Sequence, residues 1–500
     1  THVYYVDLKP TIAEARIFTP DADHPGGWGT ILIGGFRMGG SCGSCLAGGA
    51  PPMKVTIGGV ERTFYSAYFV LDITNPEVNP KLLWTFGSGG LGLTTSYPAV
   101  ARMNPTTDAS TDPTNEKWYV IFGSGPNGYN VDLPTPPNPA SPQTAKLYVV
   151  DLKAGPGAAF ANVTRMPIGS WASFMGHVVA VDKDQDWRTD VAYSGRTIHD
   201  GALPWRGKMY RLKMSCAANP CSPTAWGIAN GADRTPTEMI DTFFDAPSGT
   251  NLEVGPMASA PAVTVDDASK LWVFFGTGRY FANLDKSDNS IQRLYGIKDS
   301  VASGTCTELS TVSCHDNDLV DVTNAVVCII CSAGTNQVTD PTNASVTSVN
   351  GTGATSMVGL VQSKDGWRVT LPGPVTLGGV NYSAERSIVN PTLIAGTIFF
   401  PTFTPTNDLC VSDGRSYLYA LFYKTGTAST APVIGTSVSG LNTNVTTKVS
   451  LGVGWASSGT MHLGEGGTLN FQQSTGAFSQ TQATLKDYYS RLVSWVHQRD

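Results

Sequence analysis

Short apolar runs, each closed by Gly or a polar turn, recur along the chain in sets of three. One set runs Pro98-Ala99-Val100, then Trp118-Tyr119-Val120-Ile121-Phe122-Gly123-Ser124-Gly125, then Lys146-Leu147-Tyr148-Val149-Val150-Asp151-Leu152. A second set repeats it closely: Pro261-Ala262-Val263, then Leu271-Trp272-Val273-Phe274-Phe275-Gly276-Thr277-Gly278, then Arg293-Leu294-Tyr295-Gly296-Ile297. Looser copies are Gly29 to Gly34 with Ala67 to Asp72, Val178-Val179-Ala180 with Val191 to Gly195 and Lys208 to Leu212, and Pro391-Thr392-Leu393 with Ser416 to Ala420. A degenerate last copy is placed over 449–471.

Runs this short, dominated by aromatic and β-branched residues, read as strands buried on both faces, and the glycines mark tight strand ends. A single sheet of this kind cannot cover both of its apolar faces. Radially arranged neighbours cover them for one another, so six visible units predict an all-β, β-propeller fold with long inter-strand insertions. A β-sandwich pair or a β-helix is the competing all-β arrangement. Residues 1–500 are taken as a single propeller domain, with a Cys-containing insertion at 300–365 and an exposed Pro-rich loop at 126–144.

Composition agrees with many short strands: 54 Gly, 32 Pro and only 14% charged residues in 500. The formal net charge of -6, with no concentrated basic stripe, argues against a nucleic-acid partner. No apolar run long enough for a transmembrane helix occurs, and Thr1-His2-Val3 carries no signal-peptide pattern.

Eight of the nine cysteines form local couples: Cys42/Cys45, Cys216/Cys221, Cys306/Cys314 and Cys328/Cys331, with Cys410 left over. Such couples in Gly-, Ser- and Asn-rich loops point to disulfides in an oxidising, extracellular compartment. A zinc site built from the two Cys-x-x-Cys pairs and free thiols are the alternatives, and spacing alone does not separate them.

One loop carries explicit chemistry. Asp182-Lys183-Asp184-Gln185-Asp186-Trp187-Arg188-Thr189-Asp190 places carboxylates at positions one, three, five and nine between two apolar runs. Four like charges on one turn repel unless a hard cation takes their oxygens, as Ca²⁺ does. The expected ligands are Asp182, Asp184, Asp186, the carbonyl of Arg188, and Asp190. The loop departs from an EF-hand by ending at position nine and by placing Trp187 where Gly usually makes the sharp turn, which predicts a distorted or weaker site. A solvated acidic hairpin is the plain alternative. Asp285-Lys286-Ser287-Asp288-Asn289 reads as an ordinary turn, and His177 and His199 read as structural or exposed polar residues.

Four stretches resemble the C-terminal propeller of the PilY family of type IV pilus proteins: 182–195 with 208–212; Phe275-Gly276-Thr277-Gly278-Arg279-Tyr280 through Asp299; Gly366-Trp367-Arg368-Val369 through Ala420; and Arg491-Leu492-Val493-Ser494-Trp495. The resemblance implies a modified seven-bladed propeller with its calcium ligands at Asp182, Asp184, Asp186, Arg188 and Asp190. It also implies a non-catalytic role in pilus extension against retraction and in adhesion, at the pilus tip on the bacterial surface. Minor pilins of the tip complex, and a host or abiotic surface, are the partners it implies.

A quinoprotein-type dehydrogenase is the enzymatic alternative, because such enzymes also combine Trp-rich propellers with calcium, and this chain has 11 Trp. It lacks their adjacent Cys-Cys pair, and His-Glu-x-x-His and phosphate-loop motifs are missing as well. An extracellular scaffold with a merely structural calcium is the third reading.

Overall fold

The computed structural model describes residues 6–40, 53–103, 116–126, 143–169, 172–199, 205–214, 222–230, 233–245, 248–281, 283–299, 318–406, 414–462 and 467–484. Five four-stranded antiparallel meanders follow one another along the chain. Blade one is Thr11–Arg16, Trp28–Gly35, Tyr68–Asp72 and Lys81–Phe86; blade two is Ala99–Met103, Lys117–Gly123, Ala145–Asp151 and Val163–Ile168. Blade three is Ser173–Val181, Val191–Ile198, Arg206–Lys213 and Thr237–Ile240, and blade four is Ala262–Val265, Leu271–Gly276, Arg293–Lys298 and Gly366–Thr370. Blade five is Thr392–Ile394, Thr397–Pro405, Gly414–Phe422 and Lys448–Val453. A three-stranded sheet, Thr460–His462, Thr468–Gln472 and Phe478–Gln482, completes the six radial sheets among the described residues.

The two-residue period of a strand explains why these runs are apolar throughout. In blade two, Trp118, Val120 and Phe122 turn towards blade one and pack with Ile31, Tyr68 and Phe86. Their alternates Tyr119 and Ile121 turn the other way, onto Met175, Val178 and Tyr210 of blade three. The same alternation continues around the molecule. Val273 and Phe275 of blade four meet Tyr193 and Met209 of blade three, whereas Trp272 and Phe274 meet Ile398, Phe400 and Leu421 of blade five. Phe399 and Leu418 of blade five then cover Leu469 and Phe471 of the last sheet. Each fully buried large side chain stabilises the fold by roughly 1.5–3 kcal/mol, so every blade is held mainly by its neighbours.

The glycines that close the second strands have a common cause. A Cβ on Gly123 would lie 2.3 Å from Met175 Cβ, on Gly195 2.4 Å from Met257 Cβ, and on Gly276 2.2 Å from Ser387 Cβ. In each case the obstructing residue belongs to the chain entering the next blade. Gly therefore marks where successive blades approach too closely for a side chain.

The long insertion is not a separate appendage in its described part. Residues 318–365 send Leu319–Asp321 to pair in parallel with the outer strand of blade four, and a short helix, Met357–Gln362, packs beside it. Lys298 donates to the carbonyls of Val361 (3.2 Å) and Gln362 (2.9 Å) at the end of that helix. Val326–Ile330 joins Asn442–Val445, from the loop before the last strand of blade five, in an auxiliary four-stranded sheet. Cys328 and Cys331 lie in this segment with bonded sulfurs and Cα atoms 5.6 Å apart. The couples Cys42/Cys45, Cys216/Cys221 and Cys306/Cys314, together with Cys410, the loop 127–142 and the stretch 491–495, lie outside the described residues.

Two sequence expectations are corrected. The last copy placed over 449–471 straddles two sheets: Val449 belongs to blade five and Phe471 to the last sheet. The turn at 285–289 is not ordinary, because Asp285 is completely buried. Among the described residues no helix is long and apolar enough to cross a membrane.

Candidate functional site

The 182–190 loop joins the first two strands of blade three at a fixed point. Val181 pairs with Val191 as the last rung of the hairpin, and the Asp190 N–H donates to the Val181 carbonyl at 2.9 Å. Blade two clamps the far side: the Thr189 N–H donates to Arg102 O (2.9 Å), and the Arg102 N–H donates to Thr189 Oγ1 (3.2 Å). The Asp190 carbonyl accepts from Met214 N–H at 2.9 Å. Anchors on two blades thus position the acidic turn before any ligand arrives.

Within the loop, Asp182, Asp184 and Asp190 each offer an oxygen such that all three lie within 4.8 Å of one another. Backbone amides support this convergence. The N–H groups of Asp186 and Trp187 donate to the two oxygens of Asp182 at 3.2 and 2.7 Å, and the Lys183 N–H donates to Asp190 Oδ2 at 2.7 Å. Burial pushes the Asp190 carboxyl above its ordinary range, with the neighbouring Asp184, Asp182 and Asp186 charges adding to the rise; burial likewise raises Asp182. A divalent cation would reverse that penalty by supplying the missing positive charge.

Asp186 stands apart from the convergent three. Its Oδ1 accepts the Arg188 N–H at 2.8 Å, and its Oδ2 lies 3.6 Å from Arg188 Nε. Of the five expected ligand residues the structure therefore converges three carboxylates, while Asp186 and the Arg188 side chain face each other. An all-oxygen set of three acids fits a hard cation such as Ca²⁺, which completes six to eight ligands with carbonyls and water. Trp187 makes the turn in the left-handed conformation, φ 69°, beside Gln185 at φ 63°. For a bulky side chain that conformation costs roughly 1–2 kcal/mol, which a Gly would not incur.

Sequence reasoning found the acids but missed the Thr189–Arg102 clamp, whose partner is 87 residues away. A second feature is a cavity of about 900 Å³ lined in part by Arg37, Tyr97, His177, Asn390, Trp455 and Gln473. His177 stacks on Tyr97 with ring centroids 3.7 Å apart, and its Nδ1 lies 3.1 Å from Asn390 Oδ1, which also accepts the Ala260 N–H. Burial pulls His177 down to about 4, so it is neutral at physiological pH. It ties three blades together, in line with the structural role expected for it. His199 stacks on Trp205 at 4.4 Å.

The family model for the PilY1 beta-propeller domain matches residues 1–324. The chain belongs to the PilY1 β-propeller family. It is similar to the type IV pilus biogenesis factor PilY1 homolog of Xylella fastidiosa, 25% identical over 449 residues that cover 86% of this chain and 24% of the relative. It is also similar to the type IV pilus biogenesis factor PilY1 of Pseudomonas aeruginosa strain PAO1, 26% identical over 439 residues, 85% of this chain and 31% of that protein. The chain thus spans about a quarter to a third of the length of these curated relatives. Among solved structures, the crystal structure of the Pseudomonas aeruginosa PilY1 C-terminal domain superposes with a TM-score of 0.59 at 19% identity, over 97% of this chain and 84% of that one. That likeness concerns the fold and agrees with the propeller predicted from the repeats.

Proposed function

We propose that this chain is a non-catalytic, calcium-binding propeller module of a type IV pilus biogenesis protein. In this reading it acts at the cell surface, at the pilus tip, with minor pilins as partners, and it favours pilus extension over retraction and attachment to host or abiotic surfaces. The observation that carries the cation part is the convergence of Asp182, Asp184 and Asp190 in a loop clamped by two blades. The family assignment, with relatives named as pilus biogenesis factors, supports the pilus part. Calcium would join three loop positions that otherwise repel, ordering the start of blade three and lowering the free energy of the state that displays it.

The experiment has two arms. Calorimetric titration of the propeller with calcium is expected to show one site, lost in Asp184→Ala, with a rise in melting temperature on loading that chelator reverses. In the source bacterium, the full-length Asp184→Ala protein should reduce surface pili. No heat of binding at millimolar calcium sinks the cation reading, and normal piliation in a strain deleted for the gene sinks the pilus reading. The dehydrogenase reading gains nothing from the cavity beside His177, where the half-buried His177 and Asn390 are engaged with each other across the blades.

A further inference from the structure

We infer that residues 485–500 dock as an amphipathic helix on the free face of blade one and so close the ring between blade one and the last sheet. The inference is independent of the cation and pilus readings above.

Apolar clusters join the six radial sheets in succession, from blades one and two through to blade five and the last sheet. Among the described residues no such cluster joins the last sheet back to blade one. Blade one nevertheless has an apolar second face. Ile12 pairs with Leu32, Leu32 with Leu71 and Leu71 with Leu82, so each of its four strands contributes one aliphatic side chain to a row on the same side of the sheet. Phe69 extends that face, its ring lying across Gly34, where an added Cβ would come within 2.3 Å of it. The alternates Ile31, Ile33, Tyr68 and Val70 turn to blade two and are buried. In the row itself Ile12 is 62% and Leu82 56% exposed. A continuous aliphatic row across a whole blade is the pattern of a covered face.

The last sheet is not suited to cover it. Leu469 and Phe471 turn to blade five, and the opposite face carries Thr460, Asn470 and Gln480 in one cross-strand row and His462, Thr468 and Gln482 in the next. Pressing such groups onto aliphatic side chains would strip them of water without giving them partners. The two sheets border a common space, since the cavity of about 900 Å³ is lined both by Asp7, Lys9 and Arg37 beside blade one and by Ser458, Thr460 and Gln472 at the last sheet. An element apolar on one side and polar on the other satisfies both walls, and a helix about 10 Å across has that form.

Residues 485–500 lie outside the described residues, and their sequence has this two-sided character. Leu485, Tyr488, Tyr489, Leu492, Val493 and Val496 recur at the spacing of one helix face, while Asp487, Ser490, Arg491, Ser494, His497 and Gln498 fall on the other side. From Leu485 to Val496 the apolar face would run about 17 Å, against about 14 Å for a row across four strands. The segment also departs from a fixed point. Ala483 is fully buried with the last sheet and donates to Gly467 O at 3.0 Å, and the Thr484 N–H donates to Val433 O at 2.9 Å. Residue 485 therefore leaves from the sheet that borders the gap.

Hydrogen exchange on the 500-residue chain tests the docking, because Ile12 and Leu82 are exposed enough to be replaced without unfolding blade one. The amides of 485–496 are expected to exchange at least about 100-fold more slowly than in an unstructured peptide, and the double variant Ile12→Asp/Leu82→Asp to lose at least about tenfold of that protection. Ile330→Asp, at an equally exposed aliphatic (63%) on the auxiliary sheet, should leave it unchanged. A photo-crosslinking residue, Leu82→benzoylphenylalanine, is expected to link within one chain to the tryptic peptide 487–491 or 492–499. Wild-type amides that exchange as fast as a free peptide overturn the inference. Protection that survives the double variant also overturns it, by placing the segment on another surface. A dimer in sedimentation that the double variant dissociates, with the position-82 link running between chains, would assign the face to a second copy and overturn the intrachain helix.

Discussion

Arg386, on the chain entering blade five, donates to the carbonyl oxygen of Asp285 in blade four at 2.7 Å. The same guanidinium reaches the carbonyls of Arg279 and Asp288, while the Asp285 carboxylate pairs with Arg279 and accepts the Phe281 N–H at 2.7 Å. Asp285 is fully buried and Arg279 and Arg386 nearly so, and burial pulls Arg279 down to about 10. This clasp closes the seam between two blades from inside.

Removing one partner of a buried pair leaves the other charge uncompensated, at a cost of about 3–5 kcal/mol. Asp285→Ala is expected to destabilise the protein by that order in urea unfolding. Asp267→Ala, which breaks the exposed Lys424–Asp267 pair, should leave stability unchanged, because Asp267 is 88% exposed. Equal losses in the two variants would show that the clasp adds nothing beyond a surface pair.

The glycine at the end of a second strand makes a separate prediction. In Gly276→Ala the new Cβ would lie 2.2 Å from Ser387 Cβ, an atom fixed to the backbone and unable to rotate away. Blades four and five must separate locally, at a cost of about 1–3 kcal/mol or more. Gly353→Ala serves as the control, since nothing comes nearer than 4.0 Å to its added Cβ. A melting temperature unchanged in Gly276→Ala would mean that blade spacing is looser than the inter-blade packing indicates.

This glycine also shows how far the sequence could be read. The motif Phe274-Phe275-Gly276-Thr277-Gly278 announced a buried strand and its tight end, because alternation and turn chemistry are local. Blades two to four follow the apolar runs closely for that reason. Pairings made across long separations left no such trace: Cys328 opposite Asn444, Leu319 opposite Gly366 and Thr189 on Arg102 join elements 47 to 116 residues apart. Asp285 was misread because an acid among Lys, Ser, Asp and Asn looks solvated, and its two arginine neighbours in space, Arg279 and Arg386, are separated by 107 residues. The Asp loop was legible as a set of acids, but not the divergence of Asp186, which depends on the left-handed turns at Gln185 and Trp187.

His177 gives the fold a defined acid sensitivity. Its ordinary value of 6.5 falls to about 4 in the folded protein, because burial opposes its charge and the nearby Arg37 and Lys9 add to the effect. Between these values the unfolded chain binds a proton that the folded protein refuses. The contribution is therefore fully present above pH 6.5 and is lost progressively as pH falls towards 4. From pH 7 to 4.5 this amounts to about 2–3 kcal/mol. Urea unfolding at the two pH values should show His177→Gln losing less stability than the wild type by that order. Identical losses would mean that His177 is protonated in the folded state.

The divergence of Asp186 ranks the loop's acids. Asp190 belongs to the convergent three and is held by the Lys183 N–H, so Asp190→Ala should remove a ligand that no neighbour replaces. Calcium affinity should fall at least about tenfold, equivalent to about 1.4 kcal/mol. Asp186 already satisfies the Arg188 N–H and faces its guanidinium, so Asp186→Ala withdraws charge from the rim rather than an oxygen from the centre. Its loss should be several times smaller, and it should shrink further in high salt, where rim charges are screened. Calorimetry of both variants at low and high ionic strength separates the two roles. An Asp186→Ala defect as deep as that of Asp190→Ala, and insensitive to salt, would mean that Asp186 abandons Arg188 on loading and turns inward as a fourth carboxylate ligand.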